Sequence, residues 1–112
     1  MIVRSAVLEG TVASAGREGF DNHMRTTVLA AIARYPGLRD VRLRWPVETE
    51  AGSPPVYCIF DLYFDSVAAM HAALASPTRE AVRKSIGEVM AAFSGKVYHL
   101  VVDETAGPHS RA

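Results

Sequence analysis

The amino-acid sequence predicts an α+β domain with elements in the order β-α-β-β-α-α-β around a single core. Three observations carry that prediction. Residues 41–47 alternate between apolar and polar, the two-residue period of a half-buried strand. Residues 20–35 place apolar side chains at helical spacing and stop at Pro36-Gly37. Residues 56–64 are apolar on both faces, as a strand must be when it is covered on two sides.

The elements follow in chain order. Residues 2–12, with Val3, Val7, Leu8, Thr11 and Val12, predict the first strand. Ser14 is a candidate helix N-cap, and Glu18 sits near the positive end of the helix dipole. The buried face of this helix reads Phe20, Met24, Thr27, Val28, Ala31 and Tyr35. In the second strand Val41, Leu43, Trp45 and Val47 share one face, and Arg42 and Arg44 take the other. Gly52, Ser53, Pro54 and Pro55 make residues 48–55 a connecting loop. The third strand, residues 56–64, presents Val56, Cys58, Phe60, Leu62 and Phe64 on one face and Tyr57, Ile59, Asp61 and Tyr63 on the other.

Ser66 then caps a short helix bearing Val67, Met70 and Leu74. Ser76-Pro77 opens another, with Ser as N-cap and Pro at the first helical position. Its face is Val82, Ile86, Val89, Met90 and Phe93, closed by Gly95 near the C-cap. Residues 96–102 predict the last strand. One domain thus spans residues 1–103, and residues 104–112 are read as a flexible C-terminal tail.

Two right-handed crossovers turn this order into the ferredoxin-like split fold, a four-stranded antiparallel sheet with helices on one face. The other face is left with Tyr57, Ile59, Tyr63 and Leu100. An apolar sheet face in water is an interaction surface, and a second copy is its simplest partner. A homodimer through the sheet face follows, each chain forming half of a dimeric α/β barrel. Asp61 interrupts that face and needs a counter-charge when buried. Arg42 or Arg44 is positioned to supply it, in a salt bridge that fixes dimer register.

Composition narrows the function classes. Of 112 residues, 49% are hydrophobic and 21% charged, which is globular composition. Twelve basic and twelve acidic side chains cancel, so nothing favours a polyanion partner. RNA-recognition domains share the βαββαβ order, and Tyr57 and Tyr63 would be their stacking residues. The basic and glycine positions of the RNP pattern are missing, however, so no nucleic-acid partner is expected. The lone Cys58 forms no intrachain disulfide, and no apolar run approaches the roughly 20 residues that span a bilayer. A cytoplasmic protein with no membrane partner is the expectation. The four histidines show no metal-ligand spacing, and no dinucleotide, P-loop or G-x-S-x-G motif occurs. No metal and no cofactor are expected.

The run Phe64-Asp65-Ser66, then Ala69-Met70, Ala73-Leu74 and Ser76-Pro77, resembles the F-x-S … A-L-x-S-P segment of EthD-like proteins. Phe20 with Met24, followed by Tyr35-Pro36-Gly37-Leu38, resembles the first helix and turn of the same family. The resemblance spans roughly residues 2–103. It implies the dimeric α/β barrel superfamily, which includes cofactor-free monooxygenases, lactone isomerases, polyketide cyclases and haem enzymes. Many EthD-like proteins carry F-x-x-x-W-x-x-x-H on the first helix. Here those positions are Phe20, Met24 and Val28, and the nearby histidine is His23.

The candidate site combines both readings. His23, at the margin of the apolar face of the first helix, is the candidate catalytic acid or base. Trp45 would supply a flat wall for a ring. Tyr98 and His99 point to opposite faces of the last strand, and pairing with Val97 and Val101 sends His99 toward the helices. Phe60 and Met24 complete the ligand-binding set. The implied ligand is a small apolar or aromatic metabolite held between helix and sheet. The implied role is a cofactor-free isomerase, cyclase or monooxygenase, or else a non-catalytic accessory protein of a catabolic or biosynthetic pathway. Cys58, in apolar surroundings, is not expected to react.

Overall fold

A computed structural model describes residues 1–108. Four strands, β1 (Ile2–Val12), β2 (Asp40–Arg44), β3 (Val56–Phe64) and β4 (Phe93–Asp103), form one antiparallel sheet in the order β2-β3-β1-β4. Helices α1 (Arg17–His23) and α2 (Leu29–Ile32) are joined by a π-helical turn, Met24–Val28, into one continuous rod. Helices α3 (Val67–Leu74) and α4 (Thr78–Gly87) form the second crossover. This is the ferredoxin-like α+β fold with one extra short helix, as the sequence predicts.

Alternation decides which face of the sheet is covered. Ala6, Leu8, Phe60 and Leu62 point at the helices and meet Phe20, Met24, Val28 and Ile32 from the rod. Phe20, Met24, Val28 and Phe64 are essentially inaccessible, each worth about 1.5–3 kcal/mol of transfer free energy. The rod's buried residues recur every four positions, a spacing that drifts around an ideal α-helix of 3.6 residues per turn. The wider π turn takes up the drift and keeps the four side chains on one stripe. Thr27, expected on that stripe, is rotated to the exposed side.

The structure corrects several local boundaries. Ser14 opens a 3-10 turn and makes no side-chain cap, and the α-helix begins at Arg17. Strand β2 ends at Arg44, before Pro46, so Val47 is fully exposed loop rather than strand. The Ser66 hydroxyl does cap α3, accepting from the Ala69 N–H at 3.0 Å. Ser76 instead donates its hydroxyl back to the Ala73 carbonyl, so α4 starts without a side-chain cap. Helix α4 also stops at Gly87, and Phe93 and Gly95 belong to β4. Gly95 pairs with Gly10 across β1 and β4 at a φ of +152°, and a Cβ on either residue would strike the other strand's backbone. Two glycines at that crossing let the ladder run on to Phe93.

One side chain is on the opposite face from its expected place. A register shift between Leu8 and Glu9 marks a bulge in the β1–β3 pairing. Tyr57 is thereby turned from the open face toward α1, where its ring meets Phe20 edge-on at 5.4 Å. Its hydroxyl donates to Asp21 Oδ1 at 2.5 Å.

The open face carries Val3, Ser5, Val7, Ile59, Asp61 and Tyr63, with Tyr98, Leu100 and Val102 exposed on β4. Asp61 is buried and accepts from Arg44 Nε at 2.5 Å and from the Ser5 hydroxyl at 2.5 Å. Arg44 is therefore its counter-charge, while Arg42 pairs with Asp40 at 2.9 Å. Glu104 receives the Tyr63 hydroxyl at 3.2 Å, and its N–H donates to the Met1 carbonyl. The first residue of the expected tail is thus tied to the sheet, and residues 109–112 lie outside the described residues.

Candidate functional site

Between the sheet and the helices lies a cavity of about 270 Å³. Its floor is Ala6 and Leu8 of β1 with Phe60 and Leu62 of β3. Met24 and Ile32 of the first crossover and Leu74, Val82 and Ile86 of the second form its roof, and Val97 closes one side from β4. The walls are apolar because each strand offers the cavity only alternate residues and each helix only its core stripe.

Five polar side chains interrupt this lining: Arg4 from β1, Tyr35 just after α2, Arg79 and Arg83 from α4, and His99 from β4. Arg4 is half-buried, and Tyr35 is buried. Burial, and then Arg79, hold the Arg4 guanidinium below its usual pKa. Burial raises the Tyr35 hydroxyl against the pull of Arg79, Arg4 and Arg83. Burial lowers the His99 imidazole, and Arg4 and Arg79 lower it further. His99 is exposed on the edge strand, and the shift favours its neutral imidazole. A neutral imidazole can accept a proton, and adjacent guanidinium groups can hold the anion that forms.

The predicted site residues divide between this cavity and its surroundings. Met24, Phe60 and His99 line it together. His23 does not: its Nε2 hydrogen-bonds the Ser85 carbonyl at 2.7 Å and lies 3.3 Å from Glu88 Oε1. That ring ties α1 to α4 and is not among the cavity's lining residues. Trp45 also lies outside, flanking an open groove with Pro46, Pro55 and Tyr57. Its ring packs edge-on to Tyr57 at 5.9 Å, under the Arg25 guanidinium at 4.7 Å. Cys58 is fully buried, and burial pushes its thiol up to about 12, so no thiolate forms. Among the described residues, no three His, Cys, Asp or Glu side chains gather as a metal site, and no helix is long and apolar enough to cross a membrane.

Arg4, Tyr35, Arg79 and Arg83 are the cavity residues that sequence reasoning missed. A signal for three of them existed. Arg79, Val82, Arg83 and Ile86 recur at i, i+3, i+4 and i+7, so both arginines lie along the face of α4 that meets the cavity. Arg4 has the same strand parity as Ala6 and Leu8.

No protein-family model matches the chain, and no curated protein matches it. Solved structures do. An EthD family protein of Bacillus halodurans superposes with a TM-score of 0.75 at 20% identity, covering 94% of this chain and 100% of its own. An antibiotic biosynthesis monooxygenase gives 0.62 at 12% identity, with 95% of this chain and 100% of that one covered. A dimeric ferredoxin-like protein of unknown function from Jannaschia sp. CCS1 gives 0.64 at 18% identity, with 93% and 100% covered. The likeness to these proteins is one of fold: the chain shares their ferredoxin-like α+β architecture over nearly its whole length.

Proposed function

We propose that this chain binds a small apolar or aromatic metabolite in the helix–sheet cavity and acts on it as a cofactor-free enzyme of isomerase, cyclase or monooxygenase type. The observation that carries the reading is the placement of His99 on the rim of a largely apolar cavity that Arg4, Arg79 and Arg83 also line. Such a site removes a substrate from water, offers a base and stabilises negative charge as it develops. The likeness in fold to an EthD family protein and to an antibiotic biosynthesis monooxygenase supports it. His99 takes the proton-transfer role, because His23 is already engaged with Ser85.

A second reading, a non-catalytic accessory protein, has one observation in its favour. The His99 ring has no hydrogen bond among the described residues to fix its tautomer, as a catalytic base ordinarily has. The two readings share the cavity and differ in chemistry.

Native mass spectrometry of freshly purified protein tests the shared part. Wild type is expected to retain a small molecule that Ala6→Leu, which fills the cavity floor, does not. With that molecule as substrate, His99→Ala should abolish turnover and His23→Ala should leave it intact. If His99→Ala weakened binding without any turnover to lose, the accessory reading would stand.

The chain is further proposed to work as a homodimer through its open sheet face. Exposed Leu100 and Val102 on that face support this, as does the dimeric state of the Jannaschia protein.

A further inference from the structure

We propose, on the reading of the cavity as a ligand site, that its ligand is an apolar carboxylate, with the charged head on Arg4, Arg79 and Arg83 and the body against Met24, Phe60 and Leu62.

The first support is the state of the three guanidinium groups. None of them has an ion pair or hydrogen bond among the described residues, whereas Arg39, Arg42 and Arg44 each pair with an aspartate. The chain carries as many acidic as basic side chains, so a general excess of positive charge does not explain the cluster.

The second support is that each arginine occupies a locally unfavourable position. Arg79 sits in the first turn of α4, at the positive end of its dipole. Arg79 and Arg83 are like charges at i and i+4, a spacing that repels. Arg4 lies on the helix-facing side of a central strand, where alternation calls for an apolar side chain. Three unfavourable choices on two distant segments converge on one cavity, and a bound anion relieves all of them.

Arginine stems that merely run along apolar surface to reach water would account for the exposed Arg83. They do not account for Arg4, which is half-buried between β3 and β4. Guanidinium forks suit a planar carboxylate, which they hold in a bidentate manner. Apart from Tyr35 and His99 the rest of the lining is apolar and carries no charged side chain, so the ligand is charged at one end only. The buried Tyr35 hydroxyl, also without a partner among the described residues, can donate to the same head group.

The test compares 1-naphthoate with its neutral analogue 1-naphthylmethanol by calorimetry and by NMR of the Leu62, Val82 and Ile86 methyl groups. Wild type should bind naphthoate at least tenfold more tightly than the alcohol, and added salt should narrow the gap. Arg79→Gln/Arg83→Gln, on a helix surface that tolerates the change, should bring the ratio close to one. Arg4→Lys should keep part of the preference, and Arg34→Gln, outside the cavity, all of it. Equal binding of both probes would overturn the carboxylate assignment and leave the cavity reading intact. A preference that survives Arg79→Gln/Arg83→Gln and Arg4→Gln would also overturn it. If neither probe moved the cavity methyl groups, both readings would fall together.

Discussion

At the scale of single residues, the two candidate histidines differ in what their rings meet. His23 has its Nε2 at 2.7 Å from a carbonyl and 3.3 Å from a carboxylate, an arrangement that joins two helices. His99 has the apolar cavity on one side and Arg4 and Arg79 close enough to depress its pKa. Folding therefore opposes its protonation. Its stabilising contribution is complete above the ordinary 6.5 and is lost as pH falls through its lower folded value. An NMR titration should place the His99 midpoint below 6.5, and Arg4→Gln should move it upward. A midpoint unchanged by Arg4→Gln would separate the two side chains electrostatically.

At the scale of elements, two departures from ideal geometry decide which side chains face the core. The π turn between α1 and α2 keeps Phe20, Met24, Val28 and Ile32 on one stripe and turns Thr27 outward. The bulge at Leu8/Glu9 sends Tyr57 to the helix side, where burial and Asp21 raise its hydroxyl to about 12. The Gly10–Gly95 crossing extends the β1–β4 ladder to Phe93, which stacks on Phe20 at 6.2 Å. Gly95→Ala adds a Cβ at positive φ against the Glu9 carbonyl. It should cost about 1–3 kcal/mol, read as a lower urea midpoint at an unchanged slope.

At the scale of the whole molecule, the sheet divides the protein into a side that carries the cavity and an open side proposed to take a second copy. On that open side, Leu100 and Val102 of the edge strand β4 are 51% and 44% exposed. Sedimentation equilibrium at micromolar concentration should give a dimer, and Leu100→Lys should shift it toward monomer. A wild-type monomer under those conditions would remove the partner from the open face.

The sequence by itself determined the order of elements, the antiparallel four-stranded sheet and most of the core stripe. Those features follow from periodicities of two and 3.6 residues, which are written locally. It also placed His99 on the helix side, because neighbouring strand residues must alternate. Only the tertiary structure decided where His23, Trp45 and Tyr57 point, since one helix contact, the strand end before Pro46 and one bulged residue override the local period. Only the tertiary structure, too, assembled the arginine cluster. Arg4 and Arg79 stand far apart in the chain, and no local pattern records that the second crossover lays α4 over the helix-facing side of β1. Local alternation sets the face on which a residue lies, whereas meeting across a cavity depends on how the chain returns.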